Sequence, residues 1–535
     1  MSETVETLLA RFSAMATERA LIEPFYHTAS LFFDPLQARH WSRSAQSRQG
    51  PNWNGDLFSG AGIASTTRLT NFLIGNGTPA TADWLKLQDG ELQNDAEAAQ
   101  YWADATRVVA KQLRGDTMHG GSFYIAKRLE YRQMAISYGV TAVYEQELDG
   151  VMTGRVIHEH VPSHGFFYQL DPFGRMLTGA YLRSMTDEQV RTMIGRDRPN
   201  SENGEMAAAK SSDRHEILQI VRMNTAGREI PRDPTEFPYV EYWIDRREKK
   251  ILRVKGYFGQ PFHVIGWNQV PQSNYFVGPA YDALPDMASA AAARKSQILA
   301  MEFVATPPLL GGNKIEGAGR TLRPRRITWG AMNAEGRQMV VPLQSGANPG
   351  PMFQQVQDDE ARVRTMMYND ELLTQRRPNM TATEAQIMAN ERAAMVAPFA
   401  ITTIPAIRGQ VARHVEIGYR AGTLPAPPQR VIEDGVFDAE VVGPLALAAR
   451  QSQVGSLMST FELAAFVEQS PTQRLDKDEA IRLIAHQHGH ESVLRDLAEV
   501  KEEMRQQAAM QSQAMQAEVD KMESETVKNV AEVAA

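Results

Sequence analysis

The sequence predicts an α+β chain with a mixed body in its first half and helices dominating its second. Three observations predict it. Between about residues 140 and 256, short apolar runs alternate with turn signals such as Asp149-Gly150 and Asp171-Pro172-Phe173-Gly174, the pattern of strands joined by tight connections. An Ala-rich, helix-compatible run from Pro285 to Ala305 ends at Thr306-Pro307-Pro308, where two backbone donors are lost and helix cannot continue. At about 1.5 Å per residue that run spans roughly 30 Å. From residue 443 onward the pattern is helical, and residues 491–535 carry ten acidic and five basic side chains with Leu494, Leu497, Met504, Ala508 and Met515 at seam-like spacing.

The elements follow in order. Residues 4–33 have helical periodicity, interrupted at Pro24 and stopped at Asp34-Pro35, and the Arg-rich span 36–56 reads as an exposed loop. Helices are expected at about 57–75, 94–113 and 123–137. Strands are expected at 140–146, 151–158, 165–170, 176–182, 216–223, 239–245 and 251–256, with Thr186 capping a short helix that opens on Asp187 and Glu188. After the long helix, residues 307–350 are rich in Gly, Pro and Arg with strand-like pieces at Arg326 to Trp329 and Arg337 to Pro342. A second helix is expected from Met352 to Thr374, then a polar break at 375–380, then a third helix kinked at Pro398 and Pro405.

Composition narrows the function classes. A chain of 535 residues exceeds a single hydrophobic core. The absence of cysteine excludes disulfides and thiolate metal sites and fits assembly in a reducing cytoplasm. Glu3 and Glu6 stand where a signal peptide needs positive charge, and no run of about 18 apolar residues occurs, so neither secretion nor membrane spanning is expected. A net charge of −8 argues against gripping nucleic acid by mass charge neutralisation. Gly60-Ala61-Gly62 lacks a preceding strand, and no phosphate-binding loop, nucleophile elbow or cysteine nucleophile is present. No catalytic group, cofactor or metal is nominated.

The stretch 256–310, with the order GY, PF, W, Y, GPA, ALPD, a helix and a PPLL stop, resembles the portal, or head-to-tail connector, protein of short-tailed bacteriophages. Residues 68–87 resemble that family's early helix, which breaks at a Gly/Pro turn and resumes at a Trp; 122–146 resemble its SNFY helix and YGTA-type strand; 380–395 resemble the helix after its tunnel loop; and 437–451 resemble its entry to the C-terminal helices. Phe276-Val277-Gly278 departs from the family's Tyr-Gly-x-Gly, and 195–213 reads as a local insertion. The resemblance implies a ring-forming subunit with a mixed α/β wing (1–283), a two-helix stem (284–306 and 352–374), a small β-containing clip (307–351), a tunnel loop (375–381), a wing return with a kinked helix (382–440) and a helical crown (441–535). It further implies a dodecameric ring at the portal vertex of a virion, through which double-stranded DNA passes without sequence specificity. The implied partners are the terminase large subunit, a tail adaptor protein, and scaffolding and major capsid proteins. Assembly would take place in the host bacterial cytoplasm.

Candidate residues follow from chemistry and this resemblance together. Lys314, Arg320, Arg323, Arg325 and Arg326 lie in a Gly/Pro-rich setting with one acid, Glu316; they read either as a solvated loop or as a docking surface for acidic groups on a terminase or adaptor. Arg376, Arg377, Asn379 and Met380 form an inter-helix turn, which the resemblance makes the loop touching phosphates in the channel. Asp358, Asp359 and Glu360 read as a solvated helix face or as channel wall charge that keeps DNA off the surface. The pair His158 and His160 and the trio His486, His488 and His490 invite a metal, but the trio ends a helical run, Ala480 to Ala485, at Gly489, where the helix dipole favours histidine without any ligand. The alternatives to a portal are a non-portal structural ring or adaptor, and a His-dependent metallohydrolase.

Overall fold

The computed structural model describes residues 3–41, 58–81, 83–88, 96–115, 123–148, 151–186, 188–190, 214–225, 227, 230–305, 309–311, 340–342, 350–369, 402–429, 431 and 438–441. All belong to one compact unit. It is α+β, as expected.

The chain opens with α1 (Val5–Ala20), whose N-terminus is capped by Thr4, and α2 (Glu23–Phe33). The expected interruption falls at residues 21–22, and Pro24 itself lies in the first turn of α2, where its missing N–H is harmless. Residues expected as loop form α3 (Pro35–Trp41) instead, and Trp41 is buried. The reason is tertiary: Trp41 packs on Tyr26 with ring centroids 4.9 Å apart. Next comes α4 (Ala61–Gly77), which carries the Gly60-Ala61-Gly62 sequence. A Cβ on Gly62 would stand 2.7 Å from the Phe32 carbonyl oxygen, so this glycine serves a close helix crossing.

The Trp84 segment is a strand, not a resumed helix: β1 (Leu85–Gln88) pairs antiparallel with β14 (Asp438–Val441). Leu85 and Leu87 alternate inward, yet the partner lies some 350 residues away, which no local pattern shows. Behind this ribbon lie α5 (Ala96–Gly115) and a helix over 402–420, α9. Their shared core includes Trp84, Trp102, Val109, Ile407, Val411 and Val415. Residues 402–420 are helical on both sides of Pro405, and Pro398 lies outside the described residues.

After α6 (Phe123–Met134) the chain builds two antiparallel sheets. The first, in order β3-β2-β9, comprises β2 (Tyr138–Leu148), β3 (Val151–His160) and β9 (Phe262–Gly266). The second runs β4-β5-β6-β7-β8, from β4 (Phe166–Leu170), β5 (Met176–Thr186), β6 (Arg214–Met223) and β7 (Tyr239–Asp245) to β8 (Lys250–Tyr257). Thr186 ends β5 and also caps the next turn: its Oγ1 accepts from the Gln189 N–H while Gln189 Oε1 accepts from the Thr186 N–H.

Alternation along β6 explains the layering. Leu218 and Ile220 pack against Leu8, Phe12 and Met15 of α1 on one face, while Val221 belongs to the aromatic cluster of Tyr26, Tyr138, Phe166, Tyr168, Phe262 and Tyr275 on the other. Arg19 fastens the layers. Its guanidinium donates to the carbonyls of Ser163 and Phe166 at 3.1 and 2.9 Å and lies 3.6 Å over the Phe167 ring, and the Tyr138 hydroxyl donates to the same two carbonyls.

Two short ribbons complete the described strands: β10 (Asn268–Gln269) with β11 (Phe276–Val277), and β12 (Leu309–Gly311) with β13 (Val340–Pro342). Between them runs α7 (Ala280–Ala305), which begins five residues before Pro285 and contains it. Its start is set by Gly278 and Ala280, whose N–H groups donate to the carbonyls of Ile136 and Ala135. Its partner α8 (Gly350–Met366) is followed by a turn with Tyr368 at φ 59°; residue 369 is helical again, and 370–374 lie outside the described residues.

Candidate functional site: the α7–α8 helix pair

The proximal half of α7 buries Met287 and the small side chains Ala280, Ala283, Ala290 and Ala291, and α8 buries Val356 and Val363. Polar ties fix the register. Ser289 donates to Asp359 Oδ2 at 2.8 Å, and Arg362 bridges Asp286, at 3.1 Å, to Asp359. Residue numbers rise on one helix as they fall on the other, so the pair is antiparallel. Ser59, ahead of α4, donates to Glu360 at 2.7 Å.

The acidic trio is thereby divided. Asp359 is buried within the pair, Glu360 is half-buried against Ser59, and Asp358 is exposed. Arg362 binds inside its own chain, where two neighbouring carboxylates push its pKa further up, Asp286 first. The tunnel-loop residues Arg376, Arg377, Asn379 and Met380 and the clip residues Lys314, Arg320, Arg323, Arg325 and Arg326 lie outside the described residues.

Beyond Gln297, no residue of α7 is buried. Ile298, Leu299, Met301, Phe303 and Val304 are 45, 48, 49, 47 and 60 % exposed. At about 100° per residue these five side chains are spread over the whole circumference of the helix. Glu302 is the one charged side chain among residues 298–305, and apolar side chains spread this widely around a helix call for partners on more than one side. This end of α7 therefore presents apolar surface of the kind that marks protein association.

The histidines resolve differently from a metal site. His158 is buried, and its Nε2 lies 3.1 Å from His414 Nδ1; His414 Nε2 lies 2.8 Å from Gln112 Oε1. Burial drives the pKa of both well below the ordinary histidine value, to about 4 for His414. Among the described residues no group of three or more His, Cys, Asp or Glu side chains is arranged to hold a metal ion. His486, His488 and His490 lie outside those residues. His414 and the buried Lys127 escape sequence reasoning, since each is a lone polar residue whose partners come from distant elements. No described helix is long and apolar enough to cross a membrane.

No curated protein matches the chain. The family profile described as bacteriophage head to tail connecting protein matches residues 5–494, from the first turn of α1 to far beyond β14. With that match over nearly the whole sequence, the chain belongs to the family of bacteriophage head to tail connecting proteins.

Proposed function

We propose that this connector assembles as a closed ring of twelve identical subunits at one vertex of the capsid and serves as the conduit for packaging, retaining and ejecting double-stranded DNA. The single observation that carries the reading is the end of α7, where Ile298, Leu299, Met301, Phe303 and Val304 are exposed in one chain. A heterologous contact repeated by rotation closes such surfaces against neighbouring copies. Residues 284–306 and 352–374 would form the stem, 307–351 the clip, 375–381 the tunnel loop, 1–283 and 382–440 the wing, and 441–535 the crown.

In this reading the ring supplies geometry and electrostatics while a terminase motor supplies energy. The motor, and later a tail adaptor, would dock through Lys314, Arg320, Arg323, Arg325 and Arg326, whose modest affinity is multiplied by repetition around the ring. Arg376, Arg377, Asn379 and Met380 would touch phosphates transiently. Asp358, the exposed member of its trio, would keep DNA from adhering to the wall. Scaffolding and major capsid proteins would hold the wing during head assembly in the host cytoplasm.

The test is the double variant Leu299→Asp, Phe303→Asp. Both side chains are about half exposed in the single chain, so the subunit should fold while its rings fall apart, read as solution mass. Rings of unchanged mass would remove the role given to α7.

A further inference from the structure

Behind the three-stranded sheet lies a buried polar layer that the connector reading does not use. His160, Thr141 and His263 stand side by side across β3, β2 and β9, and His158, two residues from His160, shares their face. Helix α9 covers this face. A Cβ on Gly409 would stand 2.7 Å from His263 Nδ1. Gln410 donates to Glu130 Oε1 at 3.1 Å, and His414 meets His158. From α6, Lys127 contributes a fully buried ammonium 2.6 Å from Glu130.

The hydrogen bonds run one way. With Gln112 Oε1 as acceptor, His414 donates from Nε2; its Nδ1 then accepts from His158 Nε2, and His158 Nδ1 is left with a lone pair and no hydrogen-bond partner. The chain holds together only while both rings are neutral. A proton on His414 Nδ1 removes the acceptor that His158 needs. A proton on His158 Nδ1 creates a buried cation with nothing to receive it.

Among the charged groups facing this layer, the cations oppose an added proton and the carboxylates are already engaged. From α6 come Lys127 and Glu130, already paired; from α9 come Arg413, with Glu416 at 2.5 Å. From β8, Tyr257 offers a ring 5.1 Å from the Arg413 guanidinium and gives its hydroxyl proton to Glu241 of β7. Glu159, beside His160, is held in a two-pronged pair by Arg183. Each of these carboxylates thus already has a hydrogen-bonding partner. Burial first, then neighbouring cations, hold His158 well below and His263 at about 3; burial holds His160 at about 4.

We propose that this layer is an acid-sensitive clasp: protonation of the buried imidazoles frees α9 from β3 and β9 while the five-stranded sheet stays folded. For the sign, each imidazole binds its proton more weakly clasped than free. Closure is therefore unaffected above about pH 6.5 and is weakened as pH falls from there toward about 4. Between pH 7.5 and 5.0, one imidazole with clasped and free values of about 4 and 6.5 raises the opening constant roughly 30-fold.

Hydrogen exchange of the full-length assembled protein, corrected for intrinsic rates, tests this. At pH 5.0 the amides of 402–420 should open at least roughly 30-fold more than at pH 7.5, while those of β5, β6 and β7 keep their protection. The variant His158→Gln, His414→Gln should lose much of that rise, because glutamine keeps hydrogen-bonding capacity without titrating. Equal loss of protection in the sheet, no rise in 402–420, or an undiminished rise in the variant would each overturn the clasp. Should that variant fail to fold, the comparison of 402–420 with the sheet in the unaltered protein still decides.

Discussion

Replacing Glu130 with leucine strands the Lys127 ammonium in the protein interior. Both side chains are fully buried, with Nζ 2.6 Å from Glu130 Oε2 and 5.7 and 5.6 Å from the ring centroids of Phe123 and Tyr131. Burial lowers the Lys127 pKa, and Glu130 is the group that opposes it. Without the carboxylate, the least costly response is to fold with a neutral amine. For a lysine of free pKa about 10.4 this costs about 4.6 kcal/mol at pH 7, at about 1.36 kcal/mol per unit. That figure falls within the about 3–5 kcal/mol seen when one partner of a buried ion pair is removed.

The pH dependence gives the sharper signature. In the variant the unfolded chain binds one more proton than the folded chain, so stability rises with pH and the deficit shrinks to about 1.9 kcal/mol at pH 9. The pair of substitutions Lys127→Met, Glu130→Leu removes both charges and should recover most of the loss. A residue of about 1–2 kcal/mol remains, because Gln410 Nε2 loses its acceptor. The assay is urea unfolding followed by tryptophan fluorescence at both pH values. A Glu130→Leu deficit below about 1 kcal/mol, or one that does not change between pH 7 and pH 9, would refute the reasoning.

Two further predictions concern the start of α7 and the proposed tunnel loop. Gly278→Ala places a methyl group on the backbone carbonyls of Met134 and Ala135, so it should destabilise by about 3 kcal/mol, measured by the same unfolding assay. Arg376→Ala, Arg377→Ala should impair DNA packaging or retention while leaving rings intact in solution; collapse of the rings would contradict a loop role for these residues.

The strands from 138 to 257 were legible because short apolar runs stand between turn signals such as Asp149-Gly150 and Asp171-Pro172-Phe173-Gly174; β7 spans the residues expected, 239–245. The same reasoning failed where long-range contacts decide. The four residues of β1 make a strand only because Asp438–Val441 pairs with them, and α3 exists because Trp41 reaches the Tyr26 core. At the helix pair, the Pro-Pro stop and small residues announced a long packed helix. The internal partners of Asp359 and Arg362 did not show, since they depend on the antiparallel register with Asp286 and Ser289. His158 drew attention through its neighbour His160, whereas its true partner, His414, lies 256 residues away.

The most direct test of the central claim is electron microscopy of the purified protein, with solution mass determined on the same sample. A closed ring with a central hole wide enough for duplex DNA, and a mass near twelve times that of one chain, is the predicted result. A monomer or a small oligomer without a hole, persisting across salt and protein concentration, would contradict the conduit and leave the exposed apolar end of α7 to some other partner.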